Sequence, residues 1–109
     1  MDIDLDLYRH EVRVSTSPLV RLSAIDVSPD HPRRTFVFIH GFGGKAAQWH
    51  YQMQKFAVEN RVIALDLRGH GLSDKPGSGY DMPRLIEDLE TALTLLKVKG
   101  KIVLVGHSF

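Results

Sequence analysis

Three runs of four apolar residues constrain the fold more than any other feature of the sequence. They are FVFI at residues 36–39, VIAL at residues 62–65 and IVLV at residues 102–105. Such runs are typical of strands that are covered on both faces. Because buried strands that alternate with helices form right-handed parallel crossovers, we predict an α/β fold: a mostly parallel sheet of about five strands with helices on both faces.

Two amphipathic helices are predicted between these runs. The first covers residues 45–58, where apolar side chains recur at helical spacing. The second begins at Asp81, with Pro83 in its first turn, and ends near Gly100. Its predicted buried stripe is Leu85, Leu89, Leu93 and Leu96. Between the second strand and the second helix, residues 66–80 form a loop of unusual length, and such loops are often functional.

The N-terminal part has a different pattern. Residues 10–14 and 20–24 alternate apolar and polar side chains, and Ser17-Pro18 separates them, which predicts a half-buried hairpin at the edge of the sheet. We expect one domain over residues 1–109, with an edge-strand hairpin region at 1–34 and the core strand–helix–strand units at 35–109.

Composition excludes several classes of function. The 109 residues carry a net charge of +1 without a basic stripe, so nucleic acid is not an expected partner. The absence of cysteine removes disulfides and thiolate metal ligands, and we predict no metal and no cofactor. The N-terminus lacks the pattern of a signal peptide, and no stretch is long and apolar enough to span a membrane. We therefore predict a cytoplasmic protein that does not bind membranes.

Candidate chemistry follows the three apolar runs, because ligands of open α/β sheets bind beyond the carboxyl ends of the strands. The third run continues into GHSF, residues 106–109. A Gly-X-Ser sequence directly after a buried strand fits a nucleophile elbow, a tight turn that presents the serine hydroxyl. This predicts Ser108 as a nucleophile, with Gly106 and His107 as supporting residues.

The first run continues into a glycine-rich segment, HGFGG at residues 40–44. Backbone N–H groups exposed in such a loop can hold an oxyanion together with the N–H of the residue after the nucleophile. The candidate donors are the backbone amides of Phe42 and Phe109. His40, Gly41 and Gly43 are predicted to support them.

The order and spacing of HGFGG, DLRGHGLSDKP and GHSF resemble the α/β-hydrolase superfamily, over roughly residues 35–109. The resemblance implies a partial α/β-hydrolase fold, truncated at the nucleophile elbow, and a serine enzyme that acts on an ester or related small-molecule acyl substrate through an acyl-enzyme. A serine at 108 points away from the relatives that use aspartate there for epoxides and haloalkanes. In the middle motif, Asp66, Arg68 and Ser73 are expected to shape the loop.

The catalytic acid and the histidine base of this family follow the nucleophile in chain order, and neither is found by residue 109. We therefore expect this fragment alone to be inactive or nearly so. His40, His70 and His107 are weak candidates for a substitute base, and His10, His31 and His50 are expected at the surface.

Two alternatives remain open. GFGGKA at residues 41–46 followed by Asp66 also fits the fingerprint of a nicotinamide dinucleotide-binding half-domain, in which the acid binds the ribose. The second alternative is a non-catalytic role, in which the chain is a partner subunit. An apolar third strand without its usual cover would leave an open sheet edge, which favours self-association or a complementing chain.

Overall fold

The computed structural model describes residues 2–107, which form a mixed sheet of five strands between two α-helices. The strands are β1 (Arg9–Thr16), β2 (Leu19–Val27), β3 (Thr35–Ile39), β4 (Arg61–Leu65) and β5 (Ile102–Gly106), and the helices are α1 (His50–Phe56) and α2 (Met82–Leu95). The strand order is β1-β2-β4-β3-β5. β1 with β2 and β2 with β4 are antiparallel, whereas β3 is parallel to both β4 and β5.

The two helices cover opposite faces of the sheet. Successive residues of a strand point to opposite faces, and neighbouring residues of β4 accordingly join different cores. Ala64 belongs to the cluster that contains Met53 of α1, and Leu65 belongs to the cluster that contains Ala92 of α2. The predicted α/β class and the placement of helices on both faces are therefore confirmed.

Several local expectations are refined by the structure. The first predicted helix divides into a 3-10 turn at Ala46–Trp49 and the shorter α1. The predicted hairpin is present, but of its two strands only β1 is an edge strand, because β2 also pairs with β4. Helix α2 ends as expected, with Lys97 in the left-handed region at φ 59°. The N–H of Val98 then bonds to the carbonyl of Leu93, which closes a Schellman motif.

The third apolar run forms an open edge of the sheet. β5 is an edge strand among the described residues and Leu104 is 56% exposed, as expected for an apolar strand that lacks its usual cover. The α2 stripe is also incompletely covered: Leu85 is buried, but Leu89, Leu93 and Leu96 are only half-buried. An apolar groove of about 340 Å³ lies between α2 and the sheet, lined by Ile39, Leu67, Met82, Leu85, Ile86, Leu89, Leu104 and Gly106.

Candidate functional site

The three parallel strands β3, β4 and β5 end at the same level, so their carboxyl ends lie side by side. Ile39, the last residue of β3, pairs with Leu65 of β4 on one side and with Gly106 of β5 on the other. The backbone N–H of His107 extends this ladder by donating to the carbonyl of Ile39 at 3.2 Å. The segments that begin at His40, Asp66 and His107 therefore leave the sheet side by side.

The glycine-rich segment after β3 forms a tight turn. The N–H of Gly44 donates to the carbonyl of Gly41 at 3.0 Å, and Gly43 has a φ of 81°, a conformation that a residue with a Cβ rarely adopts. Phe42 lies at the tip with its side chain 61% exposed. The turn thus presents a short stretch of backbone at the carboxyl ends of the three parallel strands.

Asp66 ties the two neighbouring loops together. Its side chain is 1% exposed, and its carboxylate accepts hydrogen bonds from the backbone N–H of Ala46 at 2.7 Å and of Leu72 at 3.1 Å. It also accepts from Nη1 of Arg9 at 3.1 Å, which forms a partly buried ion pair. A charged carboxylate with three donors is well compensated for its loss of water.

The remaining polar side chains of the middle motif also bond within the protein. Arg68 makes a bidentate ion pair with Asp88 of α2, with N–O distances of 2.6 and 2.8 Å, and both side chains are almost completely buried. The hydroxyl of Ser73 donates to the carbonyl of Asp66 and accepts from the N–H of Ser23 at 2.7 Å. These contacts agree with the loop-shaping role expected for Asp66, Arg68 and Ser73.

Both ring nitrogens of His40 are occupied. The ring is fully buried, with Nδ1 at 2.7 Å from the carbonyl of Gly41 and Nε2 accepting the N–H of Leu67 at 2.9 Å. Burial lowers the pKa of His40 below its ordinary value, and the neighbouring His70 adds to this effect, whereas the bond to Gly41 and the charge of Asp66 oppose it. His40 is therefore held neutral and has no nitrogen available to act as a base.

Both ring nitrogens of His70 are also in hydrogen bonds to backbone groups. Nδ1 lies 3.0 Å from the carbonyl of Arg68, and Nε2 accepts the N–H of Gly43 at 3.0 Å. His107 is exposed, and its ring meets the edge of Trp49 at a centroid distance of 6.4 Å. Of the other histidines, His10 and His31 are exposed, as expected, and His50 is half-buried.

The structure brings together most of the predicted site residues. The turn that carries His40, Gly41, Phe42 and Gly43 lies beside Gly106 and His107 at the end of β5. The predicted nucleophile Ser108 and the predicted donor Phe109 lie outside the described residues, so both remain predictions.

Two ion-pair partners of the middle motif, Arg9 and Asp88, were not found from the sequence. Arg9 pairs with a carboxylate 57 positions away, and no local pattern signals such a contact. Asp88 could have been found, because it lies one turn from Leu85 and from Ala92 on the buried face of α2. An acid on an apolar stripe requires a cationic partner.

The dinucleotide-binding alternative is wrong for this structure. A ribose-binding acid must offer its carboxylate to a ligand, but that of Asp66 is buried and already has three donors. One of those donors is the N–H of Ala46, at the start of the turn that would have to face the pyrophosphate. The carboxylate of Asp66 is therefore bound to Ala46, two residues after the glycine segment, and is not free to bind a ribose.

Residues 2–107 contain no group of three potential metal ligands arranged to hold an ion. Within the same residues, neither helix has the length and hydrophobicity needed to cross a membrane.

Comparison with known proteins identifies the family. A family model for the alpha/beta hydrolase fold matches residues 34–109. Epoxide hydrolase 4 from Mus musculus is 40% identical over 75 residues, which are 67% of this chain and 21% of the relative. The crystal structure of a bromoperoxidase from Bacillus anthracis superposes with a TM-score of 0.82 at 27% identity, covering 92% of this chain and 35% of that one.

A thermophilic esterase from Thermogutta terrifontis gives a TM-score of 0.78 at 30% identity, over 92% of this chain and 36% of the esterase. The chain thus spans about a fifth to a third of the length of these relatives. The family match covers well over half of the chain and includes all three strand-end motifs. The chain belongs to the alpha/beta hydrolase fold family and corresponds to the N-terminal portion of such a protein.

Proposed function

We propose that this chain is the N-terminal portion of a serine hydrolase that cleaves an ester or related acyl substrate through an acyl-enzyme on Ser108. The register of β3 with β5 carries the proposal. Because Ile39 pairs with Gly106, the glycine turn and the segment leading to Ser108 leave the sheet next to each other. A nucleophile and an oxyanion hole require this proximity.

The proposed reaction has two steps. The hydroxyl oxygen of Ser108 bonds to the substrate carbonyl carbon while a base takes its proton, and the carbonyl oxygen becomes an oxyanion held by the backbone N–H groups of Phe42 and Phe109. The oxyanion collapses, the carbon–oxygen bond to the alcohol breaks, and the alcohol leaves with the proton that the base took from Ser108. Water then attacks the acyl-enzyme, releasing the carboxylic acid and restoring the serine hydroxyl.

The base for these steps is proposed to follow residue 109. His40 and His70 have both ring nitrogens in hydrogen bonds to backbone groups, which supports a positioning role in preference to proton transfer. The residues 1–109 by themselves are therefore expected to be inactive or nearly so, apart from weak catalysis by the oxyanion hole.

A chimera tests the proposal. Residues 1–109 replace the matching third of the Thermogutta terrifontis esterase, which superposes on 92% of this chain, so that the esterase supplies the remaining catalytic groups. We expect hydrolysis of a short-chain p-nitrophenyl ester, with labelling of Ser108 by a fluorophosphonate probe. Ser108→Ala should lower kcat by more than about 10³-fold, since the nucleophile is essential. Ser78→Ala, at an exposed serine, is the matched control.

Two outcomes would contradict the proposal. One is a folded chimera in which Ser108→Ala is as active as the parent. The other is ring opening of an epoxide in preference to ester cleavage, because several relatives are named epoxide hydrolases. Ser108 favours acyl chemistry over that alternative, since the resemblance associates epoxide opening with aspartate at this position.

The open edge supports a proposal about partners. β5 and the apolar groove beside α2 expose Leu104, Ile86 and Met82, each about half exposed. We propose that residues 1–109 are the N-terminal part of a single domain. When they are produced alone, they self-associate or bind a complementing chain at this open edge. Sedimentation should show a concentration-dependent oligomer, and Leu104→Lys should weaken it. A monomeric chain that unfolds cooperatively would contradict this.

A cytoplasmic location remains a prediction.

A further inference from the structure

Two imidazole rings connect the glycine turn and the middle loop reciprocally. His40 belongs to the first segment and accepts a backbone N–H of the second, that of Leu67 at 2.9 Å. His70 belongs to the second segment and accepts a backbone N–H of the first, that of Gly43 at 3.0 Å. The two ring centroids are 4.8 Å apart, so the bridges lie against each other.

The partners determine the tautomer of both rings. A backbone carbonyl can only accept, so Nδ1 of His40 and of His70 must carry the proton that they donate to Gly41 and Arg68. A backbone N–H can only donate, so both Nε2 atoms must have a free lone pair. Each bridge therefore requires a neutral ring protonated on Nδ1.

His70 also contacts the tip of the turn. Its ring centroid lies 5.9 Å from that of Phe42, in addition to the bond between Nε2 and Gly43. The ring therefore contacts the side chain of Phe42 and bonds to the peptide unit that joins Phe42 to Gly43, which is the unit next to the Phe42 amide. No part of the proposed reaction uses His70 to move a proton.

We propose that His70 is a positioning residue, which sets the backbone of the 41–44 turn through the bond from Gly43 N–H to its Nε2 and so aims the Phe42 amide at the oxyanion. The bond itself is independent of the chemistry at Ser108, whereas its consequence for catalysis rests on the proposed function. His40 supports the same arrangement from the buried side, by fixing the middle loop through Leu67.

Two variants separate positioning from simple packing. In His70→Gln, the side-chain oxygen can take the place of Nε2 as acceptor for the Gly43 N–H. In His70→Leu, a side chain of comparable bulk offers no acceptor. A residue that only fills space should tolerate leucine, whereas a residue that positions the turn should be rescued by glutamine alone.

The direct test is NMR on the 109-residue chain. We expect a scalar coupling across the hydrogen bond between the Gly43 nitrogen and Nε2 of His70, and long-range nitrogen–proton spectra of the tautomer protonated on Nδ1. Amide exchange at Gly43 should become about 3- to 10-fold faster in His70→Leu, the range that corresponds to the loss of one net hydrogen bond. In His70→Gln it should stay within about 2-fold of the parent.

The chimera gives the catalytic readout. His70→Leu should lower kcat by about 10-fold or more with KM nearly unchanged, because a misplaced oxyanion donor acts on the transition state. His70→Gln should restore most of kcat. A tautomer protonated on Nε2, unchanged Gly43 exchange in His70→Leu, or equal losses of kcat in both variants would overturn the proposal. A failed Ser108→Ala test would instead refute the serine mechanism and leave the NMR results standing.

Discussion

The buried ion pair between Arg68 and Asp88 provides the sharpest test of how the middle loop is held. The pair joins the loop after β4 to helix α2, and its side chains are only 4% and 3% exposed. Arg68 also donates to the carbonyl of Ser78 at 3.2 Å, so it connects both ends of the loop. Replacing Asp88 by leucine would leave a guanidinium buried without its counter-charge.

The expected loss of stability follows from that geometry. Removing one partner of a buried pair costs about 3–5 kcal/mol, because the remaining charge has neither water nor a partner. In a domain of about 100 residues this corresponds to a fall in Tm of at least about 12 °C. The double variant Arg68→Met/Asp88→Leu should recover most of the loss, since a well-packed apolar pair is often as stable as a buried ion pair.

Urea unfolding followed by the fluorescence of Trp49, the only tryptophan in the chain and a buried one, measures these differences. Glu59→Leu is the control, because Glu59 pairs with Arg33 at 3.8 Å on the surface and should contribute less than about 1 kcal/mol. If Asp88→Leu destabilised no more than Glu59→Leu, or if the double variant were no more stable than Asp88→Leu, the argument would fail.

The remaining predictions concern Gly71 and His40. Gly71 has a φ of 52°, and a Cβ there would collide with the carboxylate of Asp66, so Gly71→Ala should cost at least about 1–3 kcal/mol in the same assay. Gly77→Ala, where a Cβ meets nothing within 4 Å, should cost much less. Because burial lowers the pKa of His40 below 6.5, the unfolded chain binds a proton that the folded chain does not, so stability should fall as the pH falls through about 6.5. The slope from this one group is at most about 1.4 kcal/mol per pH unit, and His40→Gln should flatten it.

Two results would contradict the predictions for Gly71 and His40. Equal costs for Gly71→Ala and Gly77→Ala would mean that the loop does not need its close approach to Asp66. An unchanged pH slope in His40→Gln would mean that another group takes up the proton on unfolding.

The sequence predicted the main elements well where local pattern and global packing agree. The three apolar runs became β3, β4 and β5, and the alternating segments became the hairpin of β1 and β2. The residues that follow the three runs meet at the carboxyl ends of the strands, because parallel strands in register end at the same level. That much follows from periodicity and from the right-handed crossover rule.

Expectations that depended on long-range contacts were less secure. Asp66 could be a ribose ligand or a loop residue as far as its spacing showed, and only its burial beside Arg9 decided between them. The exposure of Leu104 does not follow from the apolar character of its strand; it was expected only because the family resemblance implied that the usual cover of this strand is missing.

The sequence by itself determined the class of fold, the order of the strand-end motifs and the identity of the proposed nucleophile, because these depend on residue type and on spacing along the chain. The tertiary structure alone decided that His40 and His70 bridge two loops and that Arg68 is neutralised by Asp88. Such contacts join residues 20 to 27 positions apart, and no local pattern encodes the distance between atoms that only folding brings together.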